Sequence, residues 1–322
     1  MIGCSRFQST FRFPGPVQVR PMSREKSFSI IGAGVMGRGM AMNLNQAGAR
    51  VHVYSRNPDG LSDLASAGIH CSSDPVETSR TTAVVVLCLT TDEVLNSIVF
   101  EGGLYQDLVN RVQDGERITL IDTGTTSPDF TARLYEACQN QGIEFIDAPM
   151  TGSKNAAQAG EILFMAGGSK ESLEAQKFFF DTCGKMMIHC GPVGHGQKVK
   201  IALNLTQASM MQALTEGWIL SQKLGVDSEV YDAVIRNSAA RSGLSDFKLP
   251  FVYSGNYEEH FALKNMNKDV NHAMRLALEY NVALPVASAI KGVYEAGMNR
   301  GFGEEDFCGL ARINEMLNGL DK

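Results

Sequence analysis

The chain has 322 residues, of which 44% are hydrophobic and 20% charged, so it is long enough for about two domains and is neither disordered nor fibrous in composition. A net charge of −6 argues against a nucleic-acid partner, which calls for a basic stripe, while a few basic residues in a cleft can still recognise a small anion. No run reaches the roughly 18 apolar residues of a membrane span, and seven cysteines and six histidines are too dispersed for a disulfide framework or a metal site.

Residues 1–26 stand apart as an N-terminal extension. The first 22 carry Arg6, Arg12 and Arg20 and no acid before Glu25, a composition suited to import into a mitochondrion or another organelle. Pro14, Pro16 and Pro21 interrupt any long amphipathic helix, and Met22 offers an alternative start. A plain extension on a cytoplasmic protein is the competing reading.

A dinucleotide-binding domain is expected over residues 27–190. Ser27–Ile31 reads as a short apolar strand running into Gly32-Ala33-Gly34-Val35-Met36-Gly37. A helix follows, with Met36, Met40 and Leu44 on one face and Gly48 as its stop, and Arg50–Tyr54 completes a strand–helix–strand unit. Gly32 permits the tight turn, Gly34 lets backbone approach a pyrophosphate, and Gly37 lets helix pack on strand. The phosphates would sit on the free N–H groups of the helix end. A glycine-rich turn without a ligand is the bland alternative, which the ordered strand, motif, helix and second strand disfavour.

An acid for the 2′-hydroxyl of NAD belongs at the end of the second strand, where the chain instead has Ser55, Arg56 and Asn57. A guanidinium there favours a 2′-phosphate, so NADP(H) is expected over NAD(H); a solvated Arg56 that admits both is the alternative. Further strands are expected at Thr82–Leu89, Ile118–Ile121 and Phe145–Ile146. Each empties into a loop of small polar residues, the ligand-binding edge of an open α/β sheet.

A long hinge helix is expected from about Gln197 to about Leu224. Lys200 and Asn204 are the only polar residues of Val199–Leu205 and lie one helical turn apart, on one face. A lysine in an apolar run is costly unless paired or functional, and its pKa falls readily on burial, which suits proton transfer near neutral pH. On spacing alone, a solvated helix face is an equal reading. Beyond Leu224 the pattern is helical: Glu229–Asn237 capped by Asp227, Lys268–Tyr280, a helix from Pro285 to about Gly301, and Asp306–Leu317. The expected architecture is therefore a doubly wound parallel Rossmann-type sheet followed by an all-helical second domain over 191–322. His195, His260 and His272 read as structural or exposed.

Four ordered motifs carry a resemblance over about residues 27–318. They are Gly32–Gly37 with Met40, Ala41, Asn43 and Leu44; Asp147-Ala148-Pro149-Met150-Thr151-Gly152; Gly196-Gln197 with Lys200 and Asn204; and Phe261 with Lys268-Asp269. On these the chain resembles the β-hydroxyacid dehydrogenases of the 3-hydroxyisobutyrate dehydrogenase and semialdehyde reductase type. The resemblance implies an NAD(P)-dependent enzyme that interconverts a small hydroxy acid and its semialdehyde or oxo acid. It implies Lys200 as acid/base, Asn204 as its companion on substrate, and Thr151, Gly152 and Ser153 as the carboxylate loop. It further implies Thr125 on the nicotinamide side, Lys268 closing over the cofactor, Phe261 and Asp269 bordering the cleft, and a homodimer or homotetramer. Two departures bear on the substrate: Thr151-Gly152-Ser153 replaces the usual Ser-Gly-Gly, and Gly124 replaces a serine. Imine-type reductases on the same fold usually lack the lysine, and a catalytically silent nucleotide-binding protein would have lost it or the glycines.

Overall fold

The computed structural model describes residues 26–320; the proposed import segment lies outside them. Nine strands form one sheet: β1 (Ser27–Ile31), β2 (Arg50–Tyr54), β3 (His70–Ser72), β4 (Val84–Leu87), β5 (Thr119–Asp122), β6 (Glu144–Asp147), β7 (Met150–Thr151), β8 (Ile162–Gly167) and β9 (Gly184–Gly191). Their order is β3-β2-β1-β4-β5-β6-β8-β7, with β9 paired to β8. The first six are parallel, and β8 joins β6 antiparallel. Strand β1 lies between β2 and β4, with Ile31 opposite both Tyr54 and Leu87. Connections leave it in opposite directions, so a crevice opens beyond the carboxyl ends of β1 and β4.

Helices cover both faces of the sheet, which is why the central strands are almost continuously apolar. One face packs Met40, Leu44, Phe164 and Phe179; the other packs Leu95, Leu104, Leu134 and Phe145. Strand β4 is shorter than the apolar run suggested. Thr82 is tied by its hydroxyl to Ser29 Oγ at 2.5 Å, and the residues after Leu87 already belong to the cleft.

The long helix spans His195–Lys223. Around it pack helices Ser228–Arg236, Gly243–Ser254, Leu263–Glu279, Pro285–Asn299 and Leu310–Leu317, over a core that includes Met211, Trp218, Met266 and Tyr294. Asp227 holds the expected N-cap position, but its side chain makes no capping bond. The third-last helix starts at Leu263, five residues before the expected Lys268, because the apolar Leu263 and Met266 are buried. Helix Gly243–Ser254 was not legible: Pro250 sits inside it, and its start is set by a Ser242/Ser245 capping box that reads as loop.

Candidate active site

The glycine loop separates what the fold needs from what a ligand needs. Gly32 has φ +118°, and a Cβ there would lie 2.3 Å from the Cys88 carbonyl oxygen; a Cβ on Gly37 would lie 2.0 Å from the Gly32 oxygen. These two glycines are required by the protein's own packing. Gly34 is different. It is extended, with nothing within 4 Å of a Cβ. The helix that starts at Val35 has no side-chain cap, so its end offers N–H groups and open space together. That arrangement fits a pyrophosphate. Ala33 packs inward against the sheet, Val35 is exposed, and Met36 turns into the cleft. At the end of β2, Ser55 Oγ accepts from Asn57 N at 3.2 Å, while Arg56 is exposed with no partner among the described residues.

A cleft of about 360 Å³ runs between the sheet edge and the helices. Thr125, Thr151, Gly152 and Ser153 line it from the sheet side. Thr151 lies in β7 opposite Leu163. Ser153 caps the short helix Lys154–Gln158, its hydroxyl accepting from Ala156 N at 3.2 Å, so it also has a structural duty. From the helical side come Lys200, Asn204, Phe261, Lys268 and Asp269.

Lys200 is 6% exposed and has no hydrogen-bond or ion-pair partner among the described residues. Burial pushes its ammonium down to about 8, against a smaller upward pull from Asp269 and a further downward push from Lys268. Its Nζ stands 6.0 Å from the centre of the Phe261 ring. One turn along, Asn204 donates to Asp269 Oδ2 at 2.5 Å. The other oxygen of the fully buried Asp269 accepts no hydrogen bond and lies 3.4 Å from Lys268 Nζ. Lys268 also reaches across the cleft, donating to the carbonyls of Thr90 at 2.7 Å and Thr125 at 2.6 Å. It thereby links the helical wall to the loops after β4 and β5.

Three further residues fix this geometry. Asp147 accepts from Gly194 N at 2.6 Å and Gln197 N at 2.9 Å, capping the long helix three residues before Lys200. Gln197 in turn accepts from Thr126 N at 3.1 Å and donates to the Gly124 carbonyl at 2.9 Å. The loop bearing Thr125 is thus tied to the helix bearing Lys200. Asp122, beside Asp147 in the sheet, holds the same loop through Gly124 N and Thr126 Oγ1. Burial drives both carboxyls up, Asp122 to about 7 and Asp147 to about 6. In the sequence Asp147 and Gln197 stand only as motif residues and Asp122 only as the first residue of a polar loop, with no role attached to any of the three. A polar residue at a strand or helix end signals a loop contact only once its partner is known.

Two family models divide the chain between them. Residues 27–191 match the NAD binding domain of 6-phosphogluconate dehydrogenase, and residues 194–314 match the NAD-binding domain of NADP-dependent 3-hydroxyisobutyrate dehydrogenase. The chain belongs to the β-hydroxyacid dehydrogenase family. Its members are NAD(P)-dependent oxidoreductases acting on the hydroxyl group of hydroxy acids. Among the relatives, glyoxylate/succinic semialdehyde reductase 1 of Arabidopsis thaliana is 29% identical over 280 residues, covering 87% of this chain and 95% of that protein. Mitochondrial 3-hydroxyisobutyrate dehydrogenase of Drosophila melanogaster is 28% identical, covering 90% of each. The fold matches 3-hydroxyisobutyrate dehydrogenase from Salmonella typhimurium with a TM-score of 0.81 at 22% identity, over 89% of this chain and 99% of that one. The Rossmann sheet followed by a helical domain is therefore the family's fold. No helix among the described residues is long and apolar enough to cross a membrane.

Proposed function

We propose that this oxidoreductase interconverts a small 3-hydroxy acid, or a related hydroxy acid, with its semialdehyde or oxo acid, using NADP(H) in preference to NAD(H), with Lys200 as the acid/base. The observation that carries the reading is Lys200 itself: buried, unpaired, pushed down to about 8, and facing the cleft between the glycine-loop side and Thr151. A nicotinamide nucleotide, held at Gly32–Gly37 and beside Thr125, supplies or takes up the hydride when bound. In reduction, the Lys200 ammonium stabilises the negative charge that develops on the substrate oxygen and gives it a proton. In oxidation, the neutral amine takes that proton back. Thr151 and the backbone of Gly152 and Ser153 hold the substrate carboxylate. Asn204, oriented by Asp269, is positioned one turn from Lys200 to meet the reacting oxygen. Phe261 walls the cleft, and Lys268 closes it.

Preference for NADP(H) is supported by Arg56, exposed and without a partner among the described residues, with Ser55 and Asn57 at the end of β2. The same reading assigns 27–190 to the nucleotide domain and 191–322 to substrate and assembly. Exposed Leu220, Leu224, Val230 and Val234 support a homodimer or homotetramer. The arginine-bearing, acid-free residues 1–22 support organellar import, which the location of a fluorescent fusion with and without them would check.

The test is nicotinamide absorbance with NADPH and NADH in parallel against glyoxylate, succinic semialdehyde, methylmalonate semialdehyde and tartronate semialdehyde. Turnover of one of them, lost in Lys200→Ala while NADPH still binds, supports the assignment. Turnover that survives the substitution removes Lys200 from the chemistry. Silence on all four with NADPH bound moves the chemistry to an imine or a larger acid, or leaves a silent nucleotide-binding protein.

A further inference from the structure

The motif Gly196-Gln197 opens the helix that carries Lys200, yet the chemistry above uses neither residue. Gly196 has a packing duty: a Cβ there would lie 2.3 Å from the Met165 carbonyl oxygen and 2.8 Å from Asp147 Oδ2. The Gln197 side chain does something else. It is fully buried and spans from the helix to the loop after β5, accepting from Thr126 N at 3.1 Å and donating to the Gly124 carbonyl at 2.9 Å. The amide therefore grips the loop on either side of Thr125, while Lys268 takes the Thr125 carbonyl itself at 2.6 Å. Thr125 is the one residue of 121–127 that is not buried, and it lines the cleft.

Neither the helix nor the loop depends on that amide for its own place. The helix end is held by Asp147, which accepts from Gly194 N and from the backbone N–H of Gln197. The loop is held by Asp122, which accepts from Gly124 N at 3.0 Å and Thr126 Oγ1 at 3.2 Å. The loop also presses on its neighbour: a Cβ on Gly124 would lie 2.3 Å from the Leu89 carbonyl oxygen, so glycine lets it pack against the loop after β4 and a serine would not fit. What the Gln197 side chain adds is the spacing between two parts that are already anchored. Lys200 lies three residues further along the same helix, about one turn. Spacing of that kind governs rate: reacting groups misplaced by about 1 Å lose about a hundredfold.

We infer that Gln197 is a positioning residue for hydride transfer, its side-chain amide setting the distance between Thr125, beside the nicotinamide, and Lys200, beside the reacting oxygen. The inference rests on the oxidoreductase reading above and deepens it. Gln197 does not line the cleft; it acts through the loop on one side and the helix on the other.

The experiment compares Gln197→Met and Gln197→Glu with the wild type on the best of the four carbonyl acids named above, with melting temperatures to confirm folding. It reads NADPH affinity by fluorescence, KM, kcat, and the isotope effect on kcat with NADPH dideuterated at the nicotinamide C4. Gln197→Met is expected to lower kcat by about ten- to hundredfold, with KM and the NADPH Kd within about threefold of the wild type. Its isotope effect is expected to be no smaller than the wild type's, because the hydride step limits the rate. Gln197→Glu keeps the acceptor for Thr126 N. Its protonated form also donates to the Gly124 carbonyl, whereas the carboxylate opposes that oxygen. Its kcat relative to the wild type at the same pH is therefore expected to rise by about tenfold from pH 8 to pH 5. An unchanged kcat in Gln197→Met overturns the inference, as does a loss carried by KM or NADPH affinity, or a smaller isotope effect. A Gln197→Glu ratio that is flat with pH overturns it too, and that ratio alone decides if Gln197→Met fails to fold. A wild type silent on all four acids would count instead against the oxidoreductase reading, so the two failures are distinguishable.

Discussion

On the nucleotide side the cleft is walled by backbone, contributed by short consecutive stretches that leave β1, β4, β5 and β6. On the helical side it is walled by side chains from separate helices: Lys200 and Asn204, then Lys248, then Lys268 and Asp269. The first wall leaves N–H groups and space free, as at Gly34. The second keeps charge out of water, as at Lys200. Backbone recognition is therefore written as local spacing and tolerates no added atoms. A side-chain wall is instead spread from Lys200 to Asp269 and is adjustable one substitution at a time.

The largest expected effect falls on the helical wall. Lys200→Met should lower kcat by about 10²- to 10⁴-fold, the usual range for a lost acid/base, with NADPH affinity by fluorescence titration near that of the wild type. Equal losses in rate and in nucleotide affinity would mean that the two walls are not separable. The glycine loop supplies the converse. Gly37→Ala forces a Cβ to 2.0 Å from a carbonyl oxygen, so it should destabilise the protein by about 1–3 kcal/mol or more and lower its melting temperature. A Cβ at Gly34 meets nothing within 4 Å, so in Gly34→Ala melting should be unaffected while NADPH dissociation rises by about tenfold or more, the equivalent of a steric cost of over 1 kcal/mol. A Gly34 variant that melts early but binds normally would contradict the division of labour between these two glycines.

The same contrast explains what was legible in the sequence. The strand, the glycines, the helix and the second strand are contiguous, so the nucleotide wall could be read in order from residues 27 to 54. Lys200 and Asn204 stand out because they break an apolar run at helical spacing, although spacing alone fits a solvated face equally well. The partners that give those residues their properties were not. Asp147 lies 50 residues before the helix it caps, Gln197 reaches a loop 73 residues away, and Asp306 meets Lys248 across 58 residues. Helix Gly243–Ser254 was hidden by Pro250 and a serine-rich start, and Lys248 was hidden with it. Local periodicity records which face is apolar; it carries no signal for a polar pair that forms only when two distant segments are packed.

A smaller effect tests the edge of the nucleotide wall. Arg56 is exposed and has no partner among the described residues, so a substitution there meets no constraint from the fold. Arg56→Asp should shift the NADPH-to-NADH ratio of kcat/KM by about tenfold or more towards NADH, the scale of one lost charge-assisted bond. An unchanged ratio would take Arg56 out of the site and leave the cofactor preference to Ser55 and Asn57.

The last test concerns stability and comes from the helical wall again. The folded protein holds Lys200 at about 8, against an ordinary lysine value of 10.5. Below about pH 8 the group is protonated in both states, and the folded state bears the full cost of an ammonium with no hydrogen-bond partner. Between pH 8 and 10.5 the unfolded chain binds more protons than the folded one, so this group's contribution makes stability rise with pH across that window. Lys200→Met removes the cost. At pH 7 the variant should be the more stable by up to about 3 kcal/mol, the ceiling set by the shift, and denaturant unfolding at successive pH values should show the advantage shrinking towards pH 10. Comparing variant with wild type at each pH cancels the other groups that titrate there. A variant less stable at pH 7, by an amount independent of pH, would mean that attraction to Asp269 outweighs desolvation. The helical wall would then hold its lysine as a stabilising ion pair rather than at the fold's expense for catalysis.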